Sequence, residues 1–305
     1  MQGKIQRIIK NEMQDEMLYE MQNNNAISIL AYAKTHKDTF EKGGVSSNEI
    51  SFFDFEGKKY ILKSPLMIGE NLSPFWRMMK NVFRFTFEKQ NAHLHELYNV
   101  LKNNPHIAVA PLVVADEEMM IYEYVEGSSL DADEFPKGTD NANRLGKYVG
   151  YIHKTAYENC GIIGVQDVPD FYERMLLHIE EYIQTYWNSG EAVDQKVRCY
   201  FENLRERRFT SSRNALIMVD MCADQFLYEG ENVKTCVDLD AYVIGPVEWE
   251  LSFLKTQIGD WDSFKRGYEV YQAMPAFEQT SKLFFFLMAL NAHWDKDAMD
   301  NLLKF

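Results

Sequence analysis

The sequence predicts an α+β protein of two lobes, a small sheet-plus-helix lobe over residues 1–125 and a mainly helical lobe over residues 126–305. Three observations carry that reading. Short runs rich in Ile, Phe, Tyr and Val, separated by turn residues, fill the stretch from Ala26 to Val125. Glu126-Gly127-Ser128-Ser129 then punctuates the chain, and beyond it apolar residues recur with helical spacing. With 46% hydrophobic and 26% charged residues, the 305-residue chain has ample apolar material to bury a core and too much for a disordered polymer.

Taken in order, Ile5, Ile9, Met13, Met17 and Met21 recur at every fourth position, the stripe of an amphipathic helix over about residues 2–23 packed on the first lobe. Ala26–Lys34, Ile50–Phe55, Lys59–Lys63 and Met119–Val125 read as strands of a small sheet. Between Phe83 and Leu101, helix formers with Leu94, Leu97 and Leu101 on one side predict one helix interrupting those strands. In the second lobe Leu145, Val149 and Ile152 mark one helical face and Phe171 to Trp187 another. The main exception to helicity is a hairpin, with Phe226–Glu229 and Val233–Val237 flanking the turn Gly230-Glu231-Asn232. Trp261, Tyr268, Trp294 and the Phe284–Phe286 run read as core of the last helices.

Charge and cysteine usage narrow the class. Against 32 basic residues stand 46 acidic ones, and the net charge of −14 repels phosphate backbones and anionic lipid heads; such acidity mostly serves solubility and by itself selects no ligand, although it also suits a cationic small molecule. Nucleic acid is therefore a poor partner. Cys160, Cys199, Cys222 and Cys236 show neither Cys-x-x-Cys pairs nor zinc-ligand spacing, which points to reduced thiols in the cytoplasm. The longest apolar run, Leu283–Leu290, is far short of the ~20 residues a membrane span requires.

The chemistry-bearing segment is 218–240, MVDMCADQFLYEGENVKTCVDLD. Folding the hairpin brings Gln225 and its neighbour Asp224 close to Asp238, with Asp220 on the loop entering it. A loop carboxylate and a strand-end carboxylate converging with a side-chain amide suit phosphoryl transfer, which needs a base or orienter for a hydroxyl and oxygen ligands for Mg²⁺. Upstream, Gly43-Gly44 permits close backbone approach to phosphate oxygens, and Ser46 and Ser47 can donate hydrogen bonds there, although the glycine pair alone also fits an ordinary hairpin turn. Lys63 ends the second strand after that loop, a point charge on a flexible stem suited to nucleotide phosphates.

These segments, in this order, resemble the aminoglycoside phosphotransferase and choline kinase family, whose fold is protein-kinase-like. The comparison rests on Glu41–Asn48 as nucleotide loop, Lys63 in KKYILK as the phosphate-binding lysine and Glu96 in HELYNVL as its partner, with Glu88 as a competing assignment. It continues through Glu123, Tyr124 and Val125 as hinge, LGKYVGYIHK as leading helix of the second lobe, and GPVEWELSF after the metal segment, covering roughly residues 30–260. The resemblance implies Asp220 as catalytic base or orienter, Asp238 with Gln225 as Mg²⁺ ligands, and ATP or GTP as phosphoryl donor to a hydroxyl of a sugar, aminosugar or amino alcohol. Four positions depart from the family pattern: Met218-Val219 replaces His-Gly before the aspartate, Gln225 replaces Asn, and Glu250 replaces Asp. They keep a second reading open, a pseudokinase serving as a nucleotide-binding or interaction module. His153 matches a position commonly His in the family and, as one imidazole on an apolar helix face, reads as a packing residue.

Overall fold

The computed structural model describes residues 24–291 apart from positions 46, 67, 68, 70, 71, 131–134, 136, 137, 189 and 191. The helix expected over residues 2–23 and Trp294 lie outside the described residues. The chain divides into two compact units, Met1–Leu66 with Pro111–Tyr124, and Met67–Ala110 with Val125–Phe305.

In the first unit residues 24–36 form a helix, α1, and not the strand expected over Ala26–Lys34. Ile29 and Ala33, four apart, are fully buried while Ile27 is 58% exposed. A strand would turn Ile27 and Ile29 to the same face, so the helical period decides the element. Beyond it a five-stranded antiparallel sheet is built from β1 (Glu41–Val45), β2 (Asn48–Phe55), β3 (Lys58–Pro65), β5 (Leu112–Ala115) and β6 (Met120–Glu123), in the order β1-β2-β3-β6-β5. Glu56 and Gly57, both at positive φ (50° and 77°), make the two-residue turn between β2 and β3 whose twist matches the paired strands. One sheet face packs on α1 through Phe53, Tyr60 and Leu62, with Phe40 stacked on Phe53 at 4.5 Å between ring centroids. The alternation of β3 then sends Lys63 to the other face.

The second unit opens with three helices. α2 (Pro74–Phe83) was not expected, although its start carries an ordinary signal: Ser73 Oγ accepts the Trp76 N–H and Pro74 occupies the first turn. The single helix expected between Phe83 and Leu101 is two, α3 (Phe87–Ala92) and α4 (Leu94–Leu101), separated at His93, with Thr86 Oγ1 capping α3. Residues 67–110, expected in the first lobe, group with the second unit because Trp76, Phe83, Phe85 and Phe87 belong to the core that holds Phe171, Trp249 and Phe284. The rest of this unit comprises α5 (Thr139–Ile152), α6 (Phe171–Tyr186), α7 (Ala192–Arg205), α8 (Val247–Gln257), α9 (Trp261–Tyr268) and α10 (Glu278–Asn291). Tyr268, Phe284 and Phe286 are buried core residues and Trp261 is half-buried.

Two small sheets complete the unit. β7 (Asn214–Met218) pairs antiparallel with β10 (Tyr242–Pro246), and β9 (Asn232–Cys236) pairs with β8 (Phe226–Glu229) on one side and, in parallel, with β4 (Ala108–Val109) on the other. The β8–β9 hairpin is the expected one, turning at Gly230 with φ 60°. Among the described residues no helix is long and apolar enough to cross a membrane.

Candidate active site

Strand β7 ends at Met218, and three consecutive residues at the start of α8 hold it and its flanks. Glu248 Oε1 accepts the Ser212 N–H at 2.6 Å, the Trp249 indole N–H donates to Val219 O at 2.9 Å, and Glu250 Oε1 accepts the Met218 N–H at 2.9 Å. The Val219 N–H also donates to Ala241 O at 3.1 Å. The backbone on the N-terminal side of Asp220 is thus fixed by side chains that are themselves buried. Glu250, 2% exposed, has its other oxygen 2.7 Å from His153 Nε2, and His153 Nδ1 lies 3.1 Å from the Tyr268 hydroxyl. His153 is indeed buried packing, but packing that orients the carboxylate under the loop. The sequence signal for this arrangement was the acidic pair in Glu248-Trp249-Glu250, one residue after Gly245-Pro246 at a helix start.

Asp220 sits in the turn that follows, half-buried, with Oδ1 shielded from solvent and no hydrogen-bond partner. Burial first, and then the charges of Asp238, Asp240 and Asp224, push its carboxyl up to about 8. The loop then forms a short 3-10 turn, Ala223–Gln225, in which the Cys222 thiol donates to Asp224 Oδ1 at 2.8 Å and Gln225 Nε2 donates to Cys222 Sγ at 3.7 Å. Gln225 O accepts the Val237 N–H at 3.0 Å, so the hairpin brings Gln225 beside the neighbour of Asp238, as its strand lengths require. Asp238 Oδ1 accepts the Asp240 N–H at 3.1 Å, and Asp240 is 4% exposed. Gln90 of α3, 1% exposed, donates to the carbonyls of Leu239 (3.3 Å) and Tyr242 (3.2 Å) and pins the far side of that segment. Nothing in the sequence singled out Gln90, whose partners are about 150 positions away.

Among the described residues no three His, Cys, Asp or Glu side chains converge as a ready metal cage. Mg²⁺ does not need one, since it keeps several waters and is commonly bound by one or two protein oxygens together with substrate phosphates. An orphaned Asp220 oxygen in a field of three further carboxylates, with the Gln225 amide alongside, is a donor set that fits such an ion.

In the first unit, Lys63 is 7% exposed and pairs in register with Ile50 on β2 and Met120 on β6. A Cβ added at Gly43 would lie 2.8 Å from the Phe52 ring and 3.2 Å from Ile50 Cγ2, so the glycine of β1 shares the face of Ile50, Phe52 and Lys63. A side chain at Gly44 would meet open space. Ser47 Oγ accepts from Asn48 Nδ2 at 3.3 Å, and Ser46 lies outside the described residues. Of the expected hinge, Glu123 bonds through its N–H to Pro111 O (2.9 Å) and is 3.7 Å from Lys58 Nζ, while Tyr124, 39% exposed, takes Lys59 Nζ over its ring at 4.7 Å. Val125 is half-buried at the start of the next segment. Glu96 belongs to the second unit, where its Oε1 is 3.1 Å from His93 Nδ1, and Glu88 is exposed on the separate helix α3.

Comparison with solved structures settles the architecture. The chain superposes on aminoglycoside phosphotransferase APH(2'')-Ib with ADP bound (TM-score 0.57, 12% identity, 89% of this chain and 95% of that one). It matches amicoumacin kinase hAmiN in complex with AMP-PNP, Ca²⁺ and Ami equally well (TM-score 0.57, 14% identity, 90% and 91%). The fold is that of the kinase-like phosphotransferases. Choline kinase LicA from Streptococcus pneumoniae shares it too (TM-score 0.52, 14% identity, 91% and 90%). No protein-family model matches the chain, and no curated protein resembles it significantly in sequence. The likeness therefore lies in the kinase-like α+β fold, the one the motif order implies, and it spans nearly the whole length of each phosphotransferase.

Proposed function

We propose that the protein is an ATP- and Mg²⁺-dependent phosphotransferase acting on a hydroxyl of a small molecule, a sugar, aminosugar or amino alcohol. The observation that carries this reading is Asp220, held by the α8 clamp on its backbone and set among Asp224, Asp238 and Asp240. Asp220 takes or orients the acceptor's hydroxyl proton, so that the oxygen can attack the terminal phosphorus of the nucleotide while the bond to the bridging oxygen breaks and the nucleoside diphosphate leaves. Asp238 and the Gln225 amide oxygen would hold Mg²⁺, which supplies charge neutralisation on the phosphate oxygens. Lys63 grips the nucleotide phosphates, the Gly43-Gly44 backbone with Ser46 and Ser47 covers them, and Glu123 to Val125 meet the base. Glu96 fixes the lysine in this scheme, although its observed neighbour is His93. With a net charge of −14, a cationic acceptor is drawn to the protein and an anionic one repelled. The four free cysteines support a reducing, cytoplasmic setting.

A second reading, the pseudokinase, is favoured by one specific observation, the tether of Gln225 to Cys222 in a loop where the family pattern has Asn. Thermal unfolding with ATP or GTP, with and without Mg²⁺, tests nucleotide binding in both readings, because a ligand at 100 times its Kd adds about 2.7 kcal/mol to the folded state. We expect a Mg²⁺-dependent stabilisation that Asp238→Ala abolishes without unfolding the chain. A nucleotide response indifferent to Mg²⁺, or unchanged in that variant, would remove Asp238 from the site.

A further inference from the structure

The second unit has a cleft of ≈540 Å³ away from the carboxylate cluster. Asp140, Asn143, Arg144 and Lys147 line it from one face of α5, at helical spacing, while His106 lines it from the loop before β4 and Asn232 from the start of β9. We infer that this cleft is an anion site that takes a phosphate-class oxyanion, either free or as the head of a small phosphate monoester.

Three observations support it. First, the cationic groups are unpaired. The chain has 46 acidic residues, yet among the described residues no carboxylate comes within ion-pair distance of Arg144 or Lys147, and even Asp140, one turn before Arg144, pairs with neither. Their mutual field is felt at His106, whose imidazole is held below its ordinary value by burial and then by the charges of Lys147 and Arg144. Second, the donors are set in place. Arg144 Nη1 donates to Val233 O at 3.1 Å, His106 Nε2 lies 2.7 Å from the Tyr271 hydroxyl, and Asn143 Nδ2 donates to Ser263 O at 3.2 Å. The His106 backbone N–H donates to Asn104 Oδ1 at 3.0 Å, and Asn104 is in turn anchored on Tyr148 O. An anion meeting these groups has less side-chain freedom to freeze than on a surface of loose lysines. Third, the volume lies within the 300–1,000 Å³ or so typical of small-molecule sites, which leaves room for an organic group behind a phosphate head.

The site is distinct from the one proposed for catalysis. Strand β9 rises about 13 Å over the four steps from Asn232 at the cleft to Cys236, and Asp238 lies beyond its far end.

Titration of the full chain with inorganic phosphate and, separately, with glycerol 3-phosphate tests the inference, read by the imidazole NMR signals of His106 after assignment with His106→Gln. A chloride titration at matched ionic strength controls for screening. We expect saturable shifts, an upward move of the His106 titration midpoint, and affinity lowered about tenfold or more in Arg144→Gln/Lys147→Gln. Lys147→Gln, which breaks no observed hydrogen bond, should weaken binding in the same direction with an unchanged melting temperature. Asp238→Ala should leave it as it is. Tighter binding of glycerol 3-phosphate identifies the monoester as the ligand, and equal binding identifies the free ion. Absence of saturable shifts with either anion, equal shifts with chloride, or undiminished affinity in the double variant would overturn the inference.

Discussion

Glu250 accepts the Met218 N–H and faces His153 with its other oxygen while almost fully buried, so its removal strands two partners at once. Glu250→Ala should therefore lower stability by roughly 1–3 kcal/mol per stranded group in urea unfolding, the cost of leaving a buried hydrogen-bonding group unmatched. His178, 3% exposed between α2 and α6, is a second sensitive position. Burial, then the charge of Arg77, holds its imidazole down to about 4. The unfolded chain takes up that proton near pH 6.5 and the folded chain only near 4, so stability is complete above this window and drains away as pH falls through it, by about 3 kcal/mol. Asp220, pushed up to about 8, gains stability over the same window, so the His178 loss is read as the difference in unfolding midpoint between the parent chain and His178→Gln, which should shrink as pH falls from 7 to 4. The convergence of Asp220, Gln225 and Asp238 was legible in the sequence because one short hairpin produces it. Glu250 was legible only through the motif resemblance, as the residue standing where the family has Asp, and Gln90 was not legible at all, since it acts through backbone carbonyls about 150 positions away.

Helix α5 crosses α9 at backbone contact. A Cβ on Gly146 would stand 2.1 Å from Phe264 O, and one on Gly150 would stand 2.6 Å from Tyr268 O. Alanine is the better helix former by about 1 kcal/mol, but here the overlap is with backbone, which cannot swing aside. Gly146→Ala should therefore destabilise by about 1–3 kcal/mol despite its propensity, and calorimetry should show a lower melting temperature; an unchanged or raised one would mean that the helices part easily. Periodicity gave α5, α6 and the β2–β3 and β8–β9 hairpins, whose patterns are long or closed by turn residues. It failed for α1, where β-branched and aromatic composition outweighed the spacing of Ile29 and Ala33, and α2 was passed over although Trp76, Met79 and Phe83 recur at helical spacing after the cap at Ser73-Pro74.

At the scale of the whole molecule, the two-lobed α+β class was readable because the chain changes character at Glu126–Ser129. The placement of residues 67–110 was not, because it depends on Trp76, Phe83, Phe85 and Phe87 meeting aromatics more than 80 positions further on. The central claim is phosphoryl transfer. It is tested most directly by following labelled γ-phosphate from ATP to a panel of sugars, aminosugars and amino alcohols, with the full chain, a Mg²⁺-free control and Asp220→Asn. Mg²⁺-dependent transfer to at least one acceptor is expected, with kcat about 100- to 10,000-fold lower in Asp220→Asn and nucleotide affinity nearly unchanged. Nucleotide binding without transfer to any acceptor, or transfer that Asp220→Asn leaves intact, would contradict it.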